Sequence, residues 1–315
     1  MGAQLRVYRS RIRSVQSTKK ITKAMELIAA SRIVKAQARM IAARPYADEL
    51  TRALAALGKN ASLQHPMLTG VENPRRAGIL LVTSDRGLAG GYNANAIKRA
   101  NELADRLTGE GKQVVRYVIG RKGVAYYRFR HVPLAGSWTG FSEQPNFVDA
   151  RSATEAVVAA LTATSSSEAN GEAGIDELYV VFTQFKNSVT QTPVLALVSP
   201  VKGAGDGEVE PDAAEAEAEK GPQPSYEFEP EPERLIAALL PRYISARIYS
   251  ALLESATSES AARRRAMKSA SDNATELIRT YTRLANQARQ AEITQEISEI
   301  VGGADALAAA GSDGR

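Results

Sequence analysis

Between Arg242 and Val301 the chain contains neither proline nor glycine. Run as one α-helix, those roughly 60 residues would make a rod of about 90 Å at 1.5 Å per residue. A periodic stretch well past about 25 residues points to a coiled coil, a membrane span or a repeat. The segment from Asn286 to Val301 is too polar for a membrane. The rod therefore requires a partner helix, and the chain itself has to supply it.

The opening stretch, residues 3–57, is the candidate. Tyr8, Ile12, Val15, Ile21, Met25, Ile28, Ile33, Ala36 and Met40 recur at near-helical spacing, with Thr18 and Thr22 filling one wider gap. Pro45 is a position where the helix could bend or break. Leu50, Leu54 and Leu57 continue the period, and Gly58 and Asn60 supply a stop. A helix with one narrow apolar stripe leaves that stripe wet unless another rod covers it. With the two rods at opposite ends of the chain, antiparallel pairing is the simplest packing.

Between them the texture changes. Residues 77–83, 113–119, 175–184 and 190–198 read as strands, and 94–107, 120–129 and 148–161 as helices. That alternation predicts a partly parallel sheet with helices on its faces. Two polar stretches, 164–174 and 202–224, interrupt it, and neither buries enough apolar surface to offset the entropy of ordering. Residues 225–229 return as a short strand, and 230–233 lead into the terminal rod. The expected division is 1–58 for the first helix, 75–229 for the sheet domain, 230–307 for the second helix and 308–315 for a disordered tail.

Composition removes several chemistries. There is no cysteine and only His65 and His131, so thiolate and histidine-rich metal sites are excluded. No apolar run approaches the roughly 20 residues of a membrane span, and the arginines near the N-terminus precede no signal-like apolar core. A soluble intracellular or peripheral protein is expected. Charge is unevenly placed: Arg6, Arg9, Arg11, Arg13, Lys19, Lys20 and Lys23 precede the first acid, Glu26, while 206–219 is acidic without a base. A basic arm suggests an acidic partner surface.

Gly87, Gly90 and Gly91 follow a strand and precede a helix, where backbone N–H groups could hold a phosphate. Their spacing is neither G-x-G-x-x-G nor G-x-x-x-x-G-K-[ST], which favours a structural turn. Asp85 and Arg86 have no cysteine or nearby histidine to work with, and Ser84 lacks the G-x-S-x-G setting. No catalytic site and no cofactor are expected. The basic first helix could bind nucleic acid, but no aromatic residues interleave to stack bases. Arg263-Arg-Arg-Ala-Met-Lys268 suits carboxylates on a partner protein through the planar arginine fork.

Four segments, Ile21-Thr-Lys-Ala-Met-Glu-Leu-Ile-Ala-Ala-Ser31, Ser84-Asp-Arg-Gly-Leu-Ala-Gly-Gly-Tyr-Asn93, Ala266-Met-Lys-Ser-Ala-Ser-Asp-Asn-Ala274 and Ala288-Arg-Gln-Ala-Glu-Ile-Thr-Gln-Glu-Ile-Ser-Glu-Ile-Val-Gly-Gly-Ala304, carry a family resemblance. The chain resembles the gamma subunit of bacterial F-type, proton-translocating ATP synthases, in register to about Leu307. The resemblance implies an antiparallel coiled coil of the terminal helices and a Rossmann-like α/β domain between them. It implies a non-catalytic rotor, coupling rotation of a membrane c-ring to ATP synthesis at the beta subunits of a catalytic hexamer. The implied partners are the alpha and beta subunits, the epsilon subunit and the c-subunit ring, at the cytoplasmic face of the bacterial plasma membrane.

By motif match, Arg289, Gln290 and Thr294 resemble polar contacts to a beta loop, Arg263 resembles another shaft contact, and Lys23, Met25 and Glu26 match the stretch meeting an acidic lever of beta. The chain departs from the common pattern at 164–174 and at 203–221, which look like insertions, and at Ala89, where many members carry cysteine. Ser165, Ser166, Ser167, Glu168, Asn170 and Glu172 of the first insertion form a candidate regulatory loop restraining ATP hydrolysis. The alternative from another class is a coiled-coil nucleic-acid-binding module using the basic first helix, which salt-dependent binding would reveal.

Overall fold

The computed structural model describes residues 2–60, 66–163, 174–201 and 232–312. In chain order its elements begin with α1 (Gly2–Asn60), α2 (Pro66–Thr69), β1 (Arg76–Val82) and α3 (Tyr92–Gly109). They continue with β2 (Gln113–Ile119), α4 (Arg121–Phe129), β3 (Gly136–Trp138) and α5 (Phe147–Thr162). The last three are β4 (Glu177–Phe185), β5 (Gln191–Ser199) and α6 (Pro232–Ser312).

The chain forms two compact units, Ala29–Arg265 and, separately, Met1–Ile28 with Ala266–Arg315. The sheet unit incorporates long stretches of both terminal helices. α1 continues through Pro45 without a break, and α6 contains Pro241. Each proline removes one backbone donor, and the helix-forming residues around it keep the turn. α6 also passes Gly302 and Gly303 and continues to Ser312. The tail expected from residue 308 is thus helical to 312; 313–315 lie outside the described residues. Alanine at 304, 306 and 308–310, the best helix former, offsets the two glycines.

Within the sheet unit the strand order is β3-β2-β1-β4-β5. β1 pairs in parallel with β2 and β4, and β2 with β3, while β5 runs antiparallel to β4. This is a Rossmann-like sheet with one antiparallel edge strand. Side chains of a strand alternate between faces, and β1 divides accordingly. Leu80 and Val82 join a core that includes Val157 of α5, Leu54 of α1 and Ile244 of α6. Ile79 and Leu81 join the opposite core with Ile97 and Leu103 of α3 and Val124 of α4. β3 and α2 were not expected from the sequence, being too short for a periodic signal. The return strand expected at 225–229 lies outside the described residues.

In the same unit Arg32 of α1 and Arg263 of α6 share Glu143, while Leu50, Leu54 and Leu57 share a core with Ile236, Leu240 and Ile244. Partner numbers fall as α1 numbers rise, so the helices run antiparallel.

The terminal unit has a thinner seam. Along α1 its covered positions include Tyr8, Ile12, Val15, Lys19, Thr22 and Glu26, and along α6 Met267, Ser271, Ala274, Ile278, Tyr281 and Ala285. Both sets alternate by three and four, the coiled-coil spacing. Tyr8 meets Tyr281 at 6.5 Å between centroids, and the Arg11 guanidinium lies 5.7 Å from the Tyr281 ring centre. The stripe expected through Ile21, Met25 and Ile28 is displaced. Strict alternation puts Thr22, Glu26 and Ala29 on the covered line, so Ile21 (58% exposed) and Ile28 (53%) sit one position off it.

Candidate functional site: a buried joint and two outward faces

The loop after β1 is held by its own side chains before anything else touches it. The Ser84 N–H donates to Asn93 Oδ1 at 2.9 Å, and the Ser84 hydroxyl donates to the Arg86 carbonyl at 2.6 Å. Asp85 accepts from the backbone N–H groups of Gly140 (2.8 Å) and Ser142 (3.0 Å), drawing in the loop after β3. Leu88 and Gly90 both take positive φ, +62° and +57°. Glycine does so freely; a leucine there is uncommon. Gly91 precedes the first turn of α3, its carbonyl accepting from Asn95 N–H. Gly87, Gly90 and Gly91 therefore form a turn, with Ala89 and Tyr92 packed against Ala262 of α6.

Arg263 closes that turn. Its Nη2 donates to Glu259 Oε1 at 2.7 Å and lies 3.3 Å from the carbonyl oxygens of Arg86 and Gly87. Its Nη1 is 3.1 Å from Glu143 Oε1. Glu143 also takes Arg32, and Arg86 approaches its other oxygen at 3.6 Å. Arg263 is only 5% exposed, and the groups it grips here belong to its own chain. The physical reason is the acid four residues earlier, which pairs with it along one helix face.

Arg32, Glu143 and Glu259 are members of this joint that the sequence reading missed, and Glu259 is the most deeply buried of them. It is fully buried, and burial pushes its carboxyl up to about 7; Arg263 opposes that shift and Glu143 adds to it. Burial likewise raises the Tyr92 phenol, whose hydroxyl donates to the Ser255 carbonyl at 3.3 Å. The available signal was an acid inside Ser258-Glu-Ser260, in a stretch otherwise made of small and apolar residues. A buried acid of that kind is seldom left unpaired.

In the terminal unit, Lys23 is exposed and pairs with Glu26 at 3.0 Å, while Met25 is half-buried. Arg289, Gln290 and Thr294 are all exposed, the last two separated by one helical turn. The structure does not bring these groups together. Lys23 lies 15 residues beyond Tyr8 (23 − 8), and Arg289 lies 8 beyond Tyr281 (289 − 281) in the antiparallel partner. At 1.5 Å per residue they stand roughly 35 Å apart along the pair. Each lies beside exposed apolar side chains: Ile21, Leu27 and Ile28 near Lys23, and Ile293 and Ile297 near Thr294. The regulatory candidates Ser165, Ser166, Ser167, Glu168, Asn170 and Glu172 lie outside the described residues. Among the described residues no helix is long and apolar enough to cross a membrane.

Known proteins match this chain over nearly its full length. The family model described as ATP synthase covers residues 4–307. The ATP synthase gamma chain of Salinispora arenicola is 57% identical over 99% of this chain and all of its own length. That of Acidothermus cellulolyticus is 56% identical, with the same coverage. The fold resembles the rotor of the Euglena gracilis mitochondrial ATP synthase, with a TM-score of 0.64 at 16% identity, covering 93% of this chain and 100% of that one. It also resembles the Tetrahymena thermophila central stalk and c-ring structure, with a TM-score of 0.54 at 23% identity, covering 80% of this chain and 99% of that one. The chain belongs to the family of ATP synthase gamma chains.

Proposed function

We propose that this chain is the central-stalk rotor of a proton-driven ATP synthase, coupling rotation of a membrane c-ring to ATP synthesis at the beta subunits. The observation that carries the reading is the division of labour within α6. Around Arg263 the helix is fastened to the sheet unit by buried charge. Beyond residue 288 it exposes Arg289, Gln290 and Thr294 with Ile293, Ile297 and Ile300. A rotor needs both, a rigid attachment at one place and a surface offered to other subunits at another. In this reading Lys23, Met25 and Glu26 meet an acidic region of beta, and Arg289, Gln290 and Thr294 meet a beta loop. The epsilon subunit and the c-ring are the partners of the sheet unit, at the cytoplasmic face of the bacterial plasma membrane. The chain performs no bond chemistry itself; it positions the groups that do.

Purification of the native complex through a tag on this chain tests the reading. Alpha, beta, epsilon and c subunits are expected to accompany it in fixed ratio. A chain recovered without them, or bound to nucleic acid in a salt-dependent way, would overturn the assignment. The insertion at 164–174 keeps its regulatory reading: deletion of residues 165–173 is expected to raise ATP hydrolysis by the assembled complex. Unchanged hydrolysis would remove it.

A further inference from the structure

The outward face of α4 carries an arrangement that neither the sheet nor the helical pair uses. α4 buries Gly123, Val124 and Tyr127 against the core and leaves Arg121, Lys122, Ala125, Arg128 and Phe129 exposed. Phe129 is 82% exposed, a large ring held in water. No acid occurs between Arg121 and Ser142, whereas Arg121, Lys122, Arg128 and Arg130 are basic. Cations near a helix C-terminus complement its dipole, which accounts for Arg128 but not for an exposed phenylalanine between two arginines.

The base of the patch is also ordered in advance. The Asn101 amide of α3 donates to the Tyr126 hydroxyl at 3.1 Å and accepts from the Tyr127 hydroxyl at 2.9 Å, so one side chain fixes both rings. The two tyrosines meet edge to face at 5.2 Å. Over the Tyr126 ring lies the Arg130 guanidinium, 4.0 Å from its centre, a distance at which the ring's quadrupole attracts the cation. The chain then turns sharply: His131 adopts φ +55°, with its N–H on the Arg128 carbonyl at 3.1 Å and the Val132 N–H on the Tyr127 carbonyl at 3.0 Å. Groups already fixed in place lose less entropy on binding, and arginine and aromatic residues supply most of the energy at protein interfaces.

We propose that Arg128, Phe129 and Arg130 form a docking site for an acidic protein surface, with Phe129 entering an apolar pocket and the two arginines engaging carboxylates around it. The chemistry favours a protein over a lipid surface. α4 has only nine residues and its apolar face is committed to the core, whereas membrane-surface helices present a broad apolar face. The inference rests on this chain working inside a multi-subunit assembly, which supplies such a partner.

A photo-crosslinking p-benzoylphenylalanine in place of Phe129, in the full chain within the purified complex, tests it. The expected adduct is on another subunit, at a peptide of net negative charge. Arg128→Glu with Arg130→Glu is expected to lower its yield about tenfold, as loss of charge complementarity of roughly 1.4 kcal/mol would. The same label at Val148, which is 77% exposed but stands next to Asp149, gives the background. An adduct on phospholipid, on residues 206–219 of the same chain, or none above background would overturn the proposal. Co-purification of the other subunits in every sample separates that failure from a failure of the rotor assignment.

Discussion

In the sheet unit α6 is held by an apolar core and by charge buried among small side chains; in the terminal unit it is held by a thin seam that mixes alanine, serine and tyrosine with Met267 and Ile278. Arg263 pairs with two carboxylates and donates to two backbone carbonyls at once. Removing one member of such a cluster strands the others without water. Along the seam, Ala274 and Ala285 bury little area each, and burial stabilises in proportion to area, about 25 cal/mol per Å². Other apolar side chains of this unit, Ile21, Ile28, Ile293 and Ile297, stay exposed. The first region is complete within the chain. The second carries apolar surface that further protein can cover, which fits the partner contacts proposed for it.

The largest effect separating the two regions is expected from Arg263→Ala. It leaves Glu259 and Glu143 facing each other in a buried site, and breaking a buried pair by deleting one partner costs about 3–5 kcal/mol. The single tryptophan, Trp138, stacks on Tyr117 within the sheet unit at 6.4 Å and reports that unit's unfolding in urea. Arg263→Lys keeps the charge but not the fork, and is expected to recover only part of the loss. A wild-type unfolding midpoint for Arg263→Ala would break the comparison, placing Arg263 back among residues that matter only outside the chain.

Glu259→Gln sharpens the same contrast through pH. The wild-type carboxyl is raised from 4.5 to about 7, so the folded chain holds this proton more tightly than the unfolded chain. Its contribution is fully present below about pH 4.5 and is lost as pH rises through 7. Over that window wild-type stability should fall by up to about 3 kcal/mol relative to Glu259→Gln, which has no proton to lose. Trp138-monitored urea midpoints at pH 5 and pH 8 test this. Parallel pH profiles for the two chains would show that Glu259 stays ionised beside Arg263.

Much of this fold was legible because long elements repeat their signal. The proline-free run after Arg242 and the stripe from Tyr8 to Met40 identified both rods, and β2 was placed to the residue. Three kinds of feature were not. The exact seam was hidden because Ile21 and Ile28 look like core residues, and only the strict alternation of two paired helices moves them outward. The unit boundaries were hidden because a helix shows no change of pattern where its packing partner changes from a sheet to another helix. The joint was hidden because Arg263 and Glu143 are far apart in sequence. Motif resemblance singled out Arg263 as a shaft contact, and the structure shows it buried and paired within its own chain. Composition cannot distinguish an arginine that grips its own chain from one that grips a neighbour.

The smallest effect on the chain itself, and the most specific effect on the assembly, is expected from Gln290→Ala with Thr294→Ala. Both side chains are exposed in the terminal unit, and substitutions at such positions usually change stability by less than about 0.5 kcal/mol. The chain should fold and assemble as wild type, since the seam positions Tyr281 and Ala285 are untouched. If these polar groups meet a beta loop at preferred angles of rotation, proton-driven ATP synthesis by membrane vesicles carrying the variant should fall at unchanged complex content. Lys23→Ala tests the second face, roughly 35 Å away by helical rise. It removes one exposed pair with Glu26, worth less than about 1 kcal/mol. Losses of synthesis at both faces without loss of stability would fix the terminal unit as the part completed by other subunits. Normal synthesis in a fully assembled double variant would leave the seam as the unit's main asset and move the search for contacts to the apolar pair Ile293 and Ile297.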